Sequence, residues 1–315
     1  MRKFVSLALN TARDIVRQPV ITVLTVACIV TNGVMPVVAV FSLGQEERIV
    51  RDGAVASVFV YGLFLVVASS IASISRQIGN GTAASVLVKP VSREMFIGAT
   101  YSGIVLVCLL FVGIGTVSAM LCVRMTYSGI QTDWLVGTAY ALAVLSAFAA
   151  AGIANYRGRN FYSMLCRALL ICLTLALLAS VFIGPAGKLG NFGELVKWRL
   201  IPVALLLFGA LCMLSAIAVA LSTRLAPVIV FGCCCLVFIL GLVSDYLIVI
   251  AGGTGSIAEV LGAILPNWQC LLVYEAGDGS NALTCGYVLA AFGYVAFYIA
   301  GVLCLGMLSF KNAEA

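Results

Sequence analysis

The side-chain types that most often carry out chemistry are scarce in this chain of 315 residues. It has no histidine, and none of its twelve cysteines forms a Cys-x-x-Cys pair, so the ligand spacing of a metal site is absent. Asp245 is the only acidic residue within a predicted membrane span. An intramembrane carboxylate is commonly functional, but Asp245 lies only about two turns from the outer end of its span. It is either a satisfied interfacial residue or part of an ion or substrate path.

A second polar position interrupts the first apolar segment, where Asn32, Gly33 and Pro36 lie close together. Proline removes one helical backbone hydrogen bond, and glycine loosens the helix around it. Two interpretations of this group remain open. It is either a packing kink, or a hinge or polar point on a substrate path.

The sequence contains no site for nucleotide hydrolysis. Residues 184–188 read Gly-Pro-Ala-Gly-Lys, but the spacing is not that of a phosphate-binding loop, and no Ser or Thr follows the lysine. An enzyme needs a nucleophile with a base or a set of metal ligands, and the spans contain neither. A secondary transporter usually holds coupling carboxylates near the membrane midplane, and none is predicted there. A membrane-embedded enzyme and a secondary transporter are therefore the weaker alternatives.

The elements that must position these residues are transmembrane helices. Hydrophobic residues make up 63% of the chain and charged residues 10%, with a mean hydropathy of +1.16, whereas a typical soluble domain has about 25% charged residues. The apolar residues come in blocks of about 20, the length that a helix needs to cross a bilayer. We predict an all-α polytopic membrane protein, a single transmembrane domain over residues 1–315, with about eight spans. The blocks are residues 20–43, 54–73, 99–123, 135–153, 168–184, 201–221, 228–251 and 286–309, of which the fifth is the shortest.

The uneven distribution of charge predicts the orientation of the chain. If the N-terminus is cytoplasmic, most of the eighteen Lys and Arg residues fall in cytoplasmic segments and most of the twelve acidic residues fall outside. Both termini are therefore predicted to be cytoplasmic. The basic residues are spread along a membrane surface, so the net charge of +6 does not indicate a nucleic-acid partner.

Residues 1–18 are predicted to form a separate amphipathic helix. At about 100° per residue, its apolar residues from Phe4 to Val16 fill one arc, with the exception of Leu7, and its charged residues fill the other. Such a helix lies in the interface of the cytoplasmic leaflet. The alternative is a basic flank that only directs the topology.

The cytoplasmic connection after the second span, residues 75–97, has a well-defined local pattern. Residues 79–81, Gly-Asn-Gly, are a turn signal. Thr82 can cap a short helix that ends before Pro90, and Glu94 suits the first turn of the third span. The pattern predicts a short amphiphilic helix held between two spans and facing the cytoplasm.

This connection resembles the coupling loop of the permease subunits of type 2 ATP-binding-cassette (ABC) exporters. The match lies in the Gly-Thr pair at 81–82, in Lys-Pro-Val-Ser-Arg at 89–93, and in the position between the second and third spans. The acidic residues that usually precede the Gly-Thr pair are missing, and Gln77 stands near their place. The resemblance implies that the loop docks on a separate ATPase subunit. The residues that it implies for this contact are Gln77, Gly81, Thr82, Leu87, Val88, Pro90 and Arg93.

Three other segments resemble the same family. Residues 1–18 are similar to its elbow helix, and residues 221–227 to a short cytoplasmic turn between two late spans. Residues 264–268, Ile-Leu-Pro-Asn-Trp, are similar to an external stretch before the last span, here within an external loop over residues 252–285. The six spans of the family then correspond to the first three and last three blocks. Residues 124–200 contain an extra helical hairpin.

The resemblance implies a permease subunit of an ATP-driven exporter in the bacterial inner membrane. Such a subunit hydrolyses no ATP itself and needs no cofactor. Its implied partners are an ABC ATPase subunit, a second permease copy or paralogue, and membrane lipid. The spans offer mostly aliphatic, Gly, Ser and Thr surface, which suits an amphiphilic cargo without selecting one.

Most of the cysteines lie inside apolar runs, where a thiol behaves as a small hydrophobe. Cys270 and Cys285 are the only two placed clearly outside, on either side of a polar turn. An outward-facing compartment permits oxidation. The two residues are therefore either joined by a disulfide or present as free thiols at the membrane surface.

Overall fold

The structure is a computed structural model. It describes all residues except 1, 40–45, 76–92, 127–132, 183–195, 245, 247–265, 273–284 and 312–315. All regular secondary structure in the described residues is helical, as predicted. The helices are α1 (Arg2–Val16), α2 (Pro19–Ala39), α3 (Glu46–Ser70), α4 (Arg93–Met125), α5 (Trp134–Tyr156), α6 (Phe161–Phe182), α7 (Leu200–Ser222), α8 (Pro227–Leu242) and α9 (Cys285–Lys311). A short π-helical segment, Ile71–Ser75, continues α3.

Seven of the described helices, α2 to α7 and α9, are long and apolar enough to cross a membrane. This architecture is that of a multi-pass membrane protein and agrees with the predicted class. The remaining apolar helix, α8, has 16 residues, about 24 Å, which is less than the roughly 30 Å of the hydrocarbon core. The predicted block at 228–251 continues beyond α8 into residues outside the described part. The count of eight spans therefore stays a prediction.

The fifth span begins earlier than the sequence predicts. Its apolar block starts at residue 168, but α6 begins at Phe161 and has 22 residues. The prediction of a short span is wrong because the charge of Arg167 interrupts the apolar run without interrupting the helix. A long arginine side chain keeps its stem in apolar surroundings while its charge reaches water or headgroups.

The chain divides into two compact units. The first consists of Met1–Thr11, Val66–Val105 and Leu205–Ala315, and the second consists of Ala12–Leu65 and Leu106–Ala204. The first unit contains α8 and α9 entire, and the second contains α2, α5 and α6 entire.

In the second unit, α5 and α6 pack along each other as a helical hairpin joined by residues 157–160. At the end of α5, Gly158 has a left-handed backbone with φ of 76°, and its N–H donates to the carbonyl of Asn155 at 2.9 Å. The side chain of Asn160 caps α6 by accepting a hydrogen bond from the N–H of Ser163 at 3.2 Å. The turn between α5 and α6 is therefore determined by residues within it, the left-handed Gly158 and the capping Asn160.

The hairpin interior combines small and large residues. Alanine lets helix backbones approach closely inside a membrane. One core cluster contains the buried residues Ala143, Ala147 and Ala151 of α5 and Leu165, Leu169 and Leu173 of α6.

In the first unit, the beginning of α1 packs on the beginning of α4. A Cβ atom at Gly98 would lie 3.6 Å from the ring of Phe4, and one at Gly103 would lie 2.8 Å from the carbonyl oxygen of Ala8. The two backbones thus approach closely at Gly103. The chain is helical over Arg2–Val16, and the interfacial position of this helix stays a prediction.

Candidate functional site

A buried polar cluster joins α2, α3, α4 and α5 inside the second unit. The side-chain amide of Asn32 donates to the hydroxyl of Ser118 at 3.2 Å, and its side-chain oxygen accepts from Ser57. The hydroxyl of Ser118 bonds to that of Tyr140 at 2.8 Å, and Tyr140 donates to the backbone carbonyl of Ile29 at 2.7 Å. The side chains of the cluster are all buried.

These hydrogen bonds have one consistent direction. Because the single proton of the Tyr140 hydroxyl goes to the carbonyl of Ile29, Tyr140 must accept its other bond from Ser118. Ser118 then accepts from Asn32. Hydrogen bonds between helices in apolar surroundings favour one arrangement of those helices. The cluster therefore fixes α5 against α2 and α4.

Glycine at position 33 makes room for the tyrosine of this cluster. A Cβ atom there would lie 2.8 Å from Cε1 of Tyr140, closer than carbon atoms pack without repulsion. Pro36 is buried one turn later, and it cannot donate to the backbone carbonyl of Asn32. The structure thus brings Asn32 and Gly33 together with Tyr140, and it buries Pro36 one turn further along α2. Their role as a hinge or as a point on a substrate path stays a prediction.

Two buried cysteines flank the cluster. The Sγ atom of Cys28 lies 4.0 Å from the hydroxyl of Ser57, and Cys122 is fully buried near Ser118 and Tyr140. The groups in the cluster are hydroxyls, thiols and one amide. They can bind a polar group or hold helices together. Among the described residues, no group of three or more His, Cys, Asp or Glu side chains could hold a metal ion.

An ion pair that the sequence does not reveal closes the connection from α4 to α5. The side chain of Arg124 is only 1% exposed, and its Nη1 lies 3.4 Å from Oδ2 of Asp133. The backbone N–H of Asp133 also donates to the carbonyl of Met125 at 2.8 Å. A buried guanidinium needs such a partner because burying an unpaired charge is costly. No helical periodicity links the two charges, since they lie on different elements.

Most residues of the predicted ATPase contact lie outside the described part of the chain. These are Gln77, Gly81, Thr82, Leu87, Val88 and Pro90. Arg93 is the first residue of α4, and Glu94 lies in its first turn, as predicted. Asp245 also lies outside the described residues.

The segment at 266–272 is tied to α9 in the first unit. The backbone N–H of Asn267 donates to the hydroxyl of Tyr294 at 3.2 Å. The hydroxyl of Tyr287 donates to the backbone carbonyl of Cys270 at 2.6 Å. Two tyrosines of the last helix thus anchor the segment at 266–272.

Trp268 in this segment occupies a notch on α8 made by a glycine. Its side chain is fully buried, and its ring centroid lies 6.5 Å from that of Phe238. A Cβ atom at Gly241 would collide with Nε1 and Cδ1 of the indole and would lie 2.6 Å from the carbonyl oxygen of Pro266. The glycine is therefore required by the close approach of the segment.

A disulfide between Cys270 and Cys285 is one of the two alternatives that the sequence leaves open, and free thiols are the other. In the structure Cys285 is exposed at the start of α9 and its thiol is free. The hydrogen bond from Tyr287 to the carbonyl of Cys270 already joins the two segments without a covalent bridge.

No family model matches the chain, and neither a curated protein nor a solved structure matches it. Inferences about function therefore rest on the residues and contacts of this chain.

Proposed function

We propose that the chain is the membrane-spanning permease subunit of an ATP-driven ABC exporter of type 2. ATP is hydrolysed on a separate subunit, and the cargo crosses the membrane through the permease. The observation that carries the proposal is the segment between α3 and α4, with Gly-Thr at 81–82 and Lys-Pro-Val-Ser-Arg at 89–93. A short rigid element between two helices transmits a displacement better than a loose loop does.

The lengths of the flanking helices support this role. α4 has 33 residues, which is about 50 Å at 1.5 Å per residue, compared with roughly 30 Å of hydrocarbon. α3 has 25 residues and continues into the π-helical segment. Both helices are therefore longer than the apolar core requires. We expect a connection between such helices to lie where a soluble subunit can reach it.

The proposed assembly contains an ABC ATPase subunit and a second permease, which is either another copy of this chain or a paralogue. Its proposed location is the bacterial inner membrane, with both termini in the cytoplasm. This orientation is supported by the excess of basic residues in the predicted cytoplasmic segments, and it places residues 75–97 in the compartment that holds ATP. The proposed cargo is amphiphilic, because the spans offer mostly aliphatic and small hydroxyl side chains.

Two substitutions in the predicted docking helix test the proposal. Leu87→Asp and Val88→Asp each add a charge where we expect an apolar contact with the ATPase subunit. We expect each variant to lose that subunit during purification, or to hydrolyse ATP without transport, while the membrane part stays folded. The measurements are the amount of co-purified ATPase, the rate of ATP hydrolysis, and the thermal unfolding of the chain in detergent.

Ala282→Asp is the matched control, since it adds the same charge to a loop that is predicted to lie on the opposite side of the membrane. It should leave assembly and ATP hydrolysis unchanged. Normal assembly and transport in both docking variants would refute the docking role. Transport that runs on an ion gradient without any ATPase subunit would instead favour a secondary transporter.

A further inference from the structure

The tip of the α5–α6 hairpin carries a concentration of positive charge. Arg157 and Arg159 lie in the loop between the helices, and Arg167 lies in the second turn of α6. All three residues are exposed. The sequence from 134 to 182 contains no Asp or Glu. The hairpin itself therefore offers these arginines no acidic partner.

Arg167 lies on the outward face of α6. The exposed residues that follow it at helical spacing form one apolar stripe, and each is more than half exposed. The members of the stripe are Ile171, Leu175, Leu178 and Phe182. The opposite face holds the buried leucines of the hairpin core. Because α6 is long and apolar enough to cross a membrane, a stripe of this kind faces lipid.

The depth and direction of the Arg167 side chain bring its charge to the headgroup level. From position 161 to position 167, the helix rises about 9 Å from its first residue. Side chains on a helix tilt toward its N-terminus, and the N-terminus of α6 is at the tip of the hairpin. The guanidinium of Arg167 can therefore reach the polar layer while its methylene groups stay beside the hydrocarbon.

At that level, the anion next to a lipid-facing side chain is the phosphate of a phospholipid. A guanidinium binds phosphate through two parallel hydrogen bonds. Tyr156, which is 94% exposed at the end of α5, adds the amphipathic aromatic side chain that commonly lies among headgroups.

We propose that the hairpin tip is a binding site for the headgroup of an anionic phospholipid. Arg167 binds the phosphate from the lipid-facing side, while Arg157 and Arg159 attract the net negative charge of the headgroup. A zwitterionic lipid carries its own cation and is attracted less. An acidic soluble protein could reach the two loop arginines, but Arg167 lies on the lipid-facing stripe. The contribution of Arg167 therefore distinguishes a lipid from a protein ligand.

Lipid titrations of the full-length protein test this site. Native mass spectrometry in detergent measures the binding of phosphatidylglycerol and of phosphatidylcholine with the same acyl chains. We expect the wild-type protein to prefer phosphatidylglycerol. Arg167→Gln should weaken phosphatidylglycerol binding about fivefold, with a similar loss for each loop arginine that is neutralised.

Arg199→Gln is the matched control, because it removes an exposed arginine just before α7, predicted to lie on the other side of the membrane. It should leave the preference unchanged. Equal binding of the two lipids by the wild-type protein would overturn the proposal, and so would the same loss in Arg199→Gln as in Arg167→Gln. If Arg167→Gln does not fold, a variant with Arg157→Gln and Arg159→Gln serves instead. An unchanged preference in that folded variant would also overturn the proposal.

Discussion

At the residue scale, Gly33 and Tyr140 show how a missing side chain decides where a helix can lie. The tyrosine ring occupies the space that a Cβ atom at position 33 would need. Its hydroxyl is bonded to Ser118 and to the carbonyl of Ile29, so the ring cannot retreat without losing those bonds. The glycine is therefore required by a contact between helices, and a larger residue would push α5 away from α2.

Gly33→Ala is expected to destabilise the protein by about 1–3 kcal/mol, the usual cost of over-packing a tight interior. The better helix propensity of alanine offsets at most about 1 kcal/mol of this cost. Gly152→Ala on α5 is the matched control, because nothing lies within 4 Å of the new Cβ atom. It should be neutral or slightly stabilising. Thermal unfolding in detergent measures both variants, and equal unfolding midpoints would contradict the steric role of Gly33.

The sequence alone identifies the residues of this cluster on α2, but it does not identify Tyr140. Asn32, Gly33 and Pro36 stand out because polar and helix-perturbing residues are unusual in an apolar run. Tyr140 does not stand out, since tyrosine is ordinary in a membrane helix. Its acceptor on α2 lies 111 positions away. Helical periodicity reports which face of one helix is apolar, and it contains no information about which other helix packs there.

At the scale of elements, the length of an apolar run predicts the existence of a helix better than it predicts its ends. Each of the eight predicted blocks overlaps a described helix, but α8 ends at Leu242, well before residue 251. Near that end, Gly241 receives the indole of Trp268. The packing of this later segment against α8 depends on tertiary contacts. The apolar pattern of residues 228–251 does not indicate that this later segment packs against α8.

Gly241→Ala is expected to displace Trp268 and to destabilise the protein by about 1–3 kcal/mol, because the new Cβ atom overlaps the indole. Trp134 and Trp198 are 67% and 47% exposed, so both are first replaced by Phe to leave one emitting tryptophan. In that background, Gly241→Ala should shift the emission of Trp268 to longer wavelength. Gly232→Ala on the same helix has open space around the new Cβ atom and should leave the spectrum unchanged. An unshifted spectrum in Gly241→Ala would show that the notch is not needed.

At the scale of the whole molecule, an even or an odd number of membrane spans determines whether the two termini lie on the same side of the membrane. Seven described helices can cross a membrane, and an odd number would place the two termini on opposite sides. The predicted arrangement, with both termini cytoplasmic, needs an eighth crossing. The predicted block that begins with α8 and runs to residue 251 is the segment that we expect to provide it. The orientation of the last third of the protein therefore depends on α8, which is too short to cross the membrane without the residues that follow it.

Cysteine labelling in a cysteine-depleted background decides this point. Single cysteines at positions 80 and 159 should be blocked from a membrane-impermeant reagent in sealed cells, because basic residues favour the cytoplasmic side there. Cysteines at 45 and 277 should react. Labelling at position 277 distinguishes seven spans from eight, because this position follows α8 and precedes α9. If the segment after α8 completes a crossing, position 277 faces outward and a cysteine at 313 is blocked. If α8 does not cross, position 277 is blocked and position 313 reacts, and the eight-span topology is then wrong.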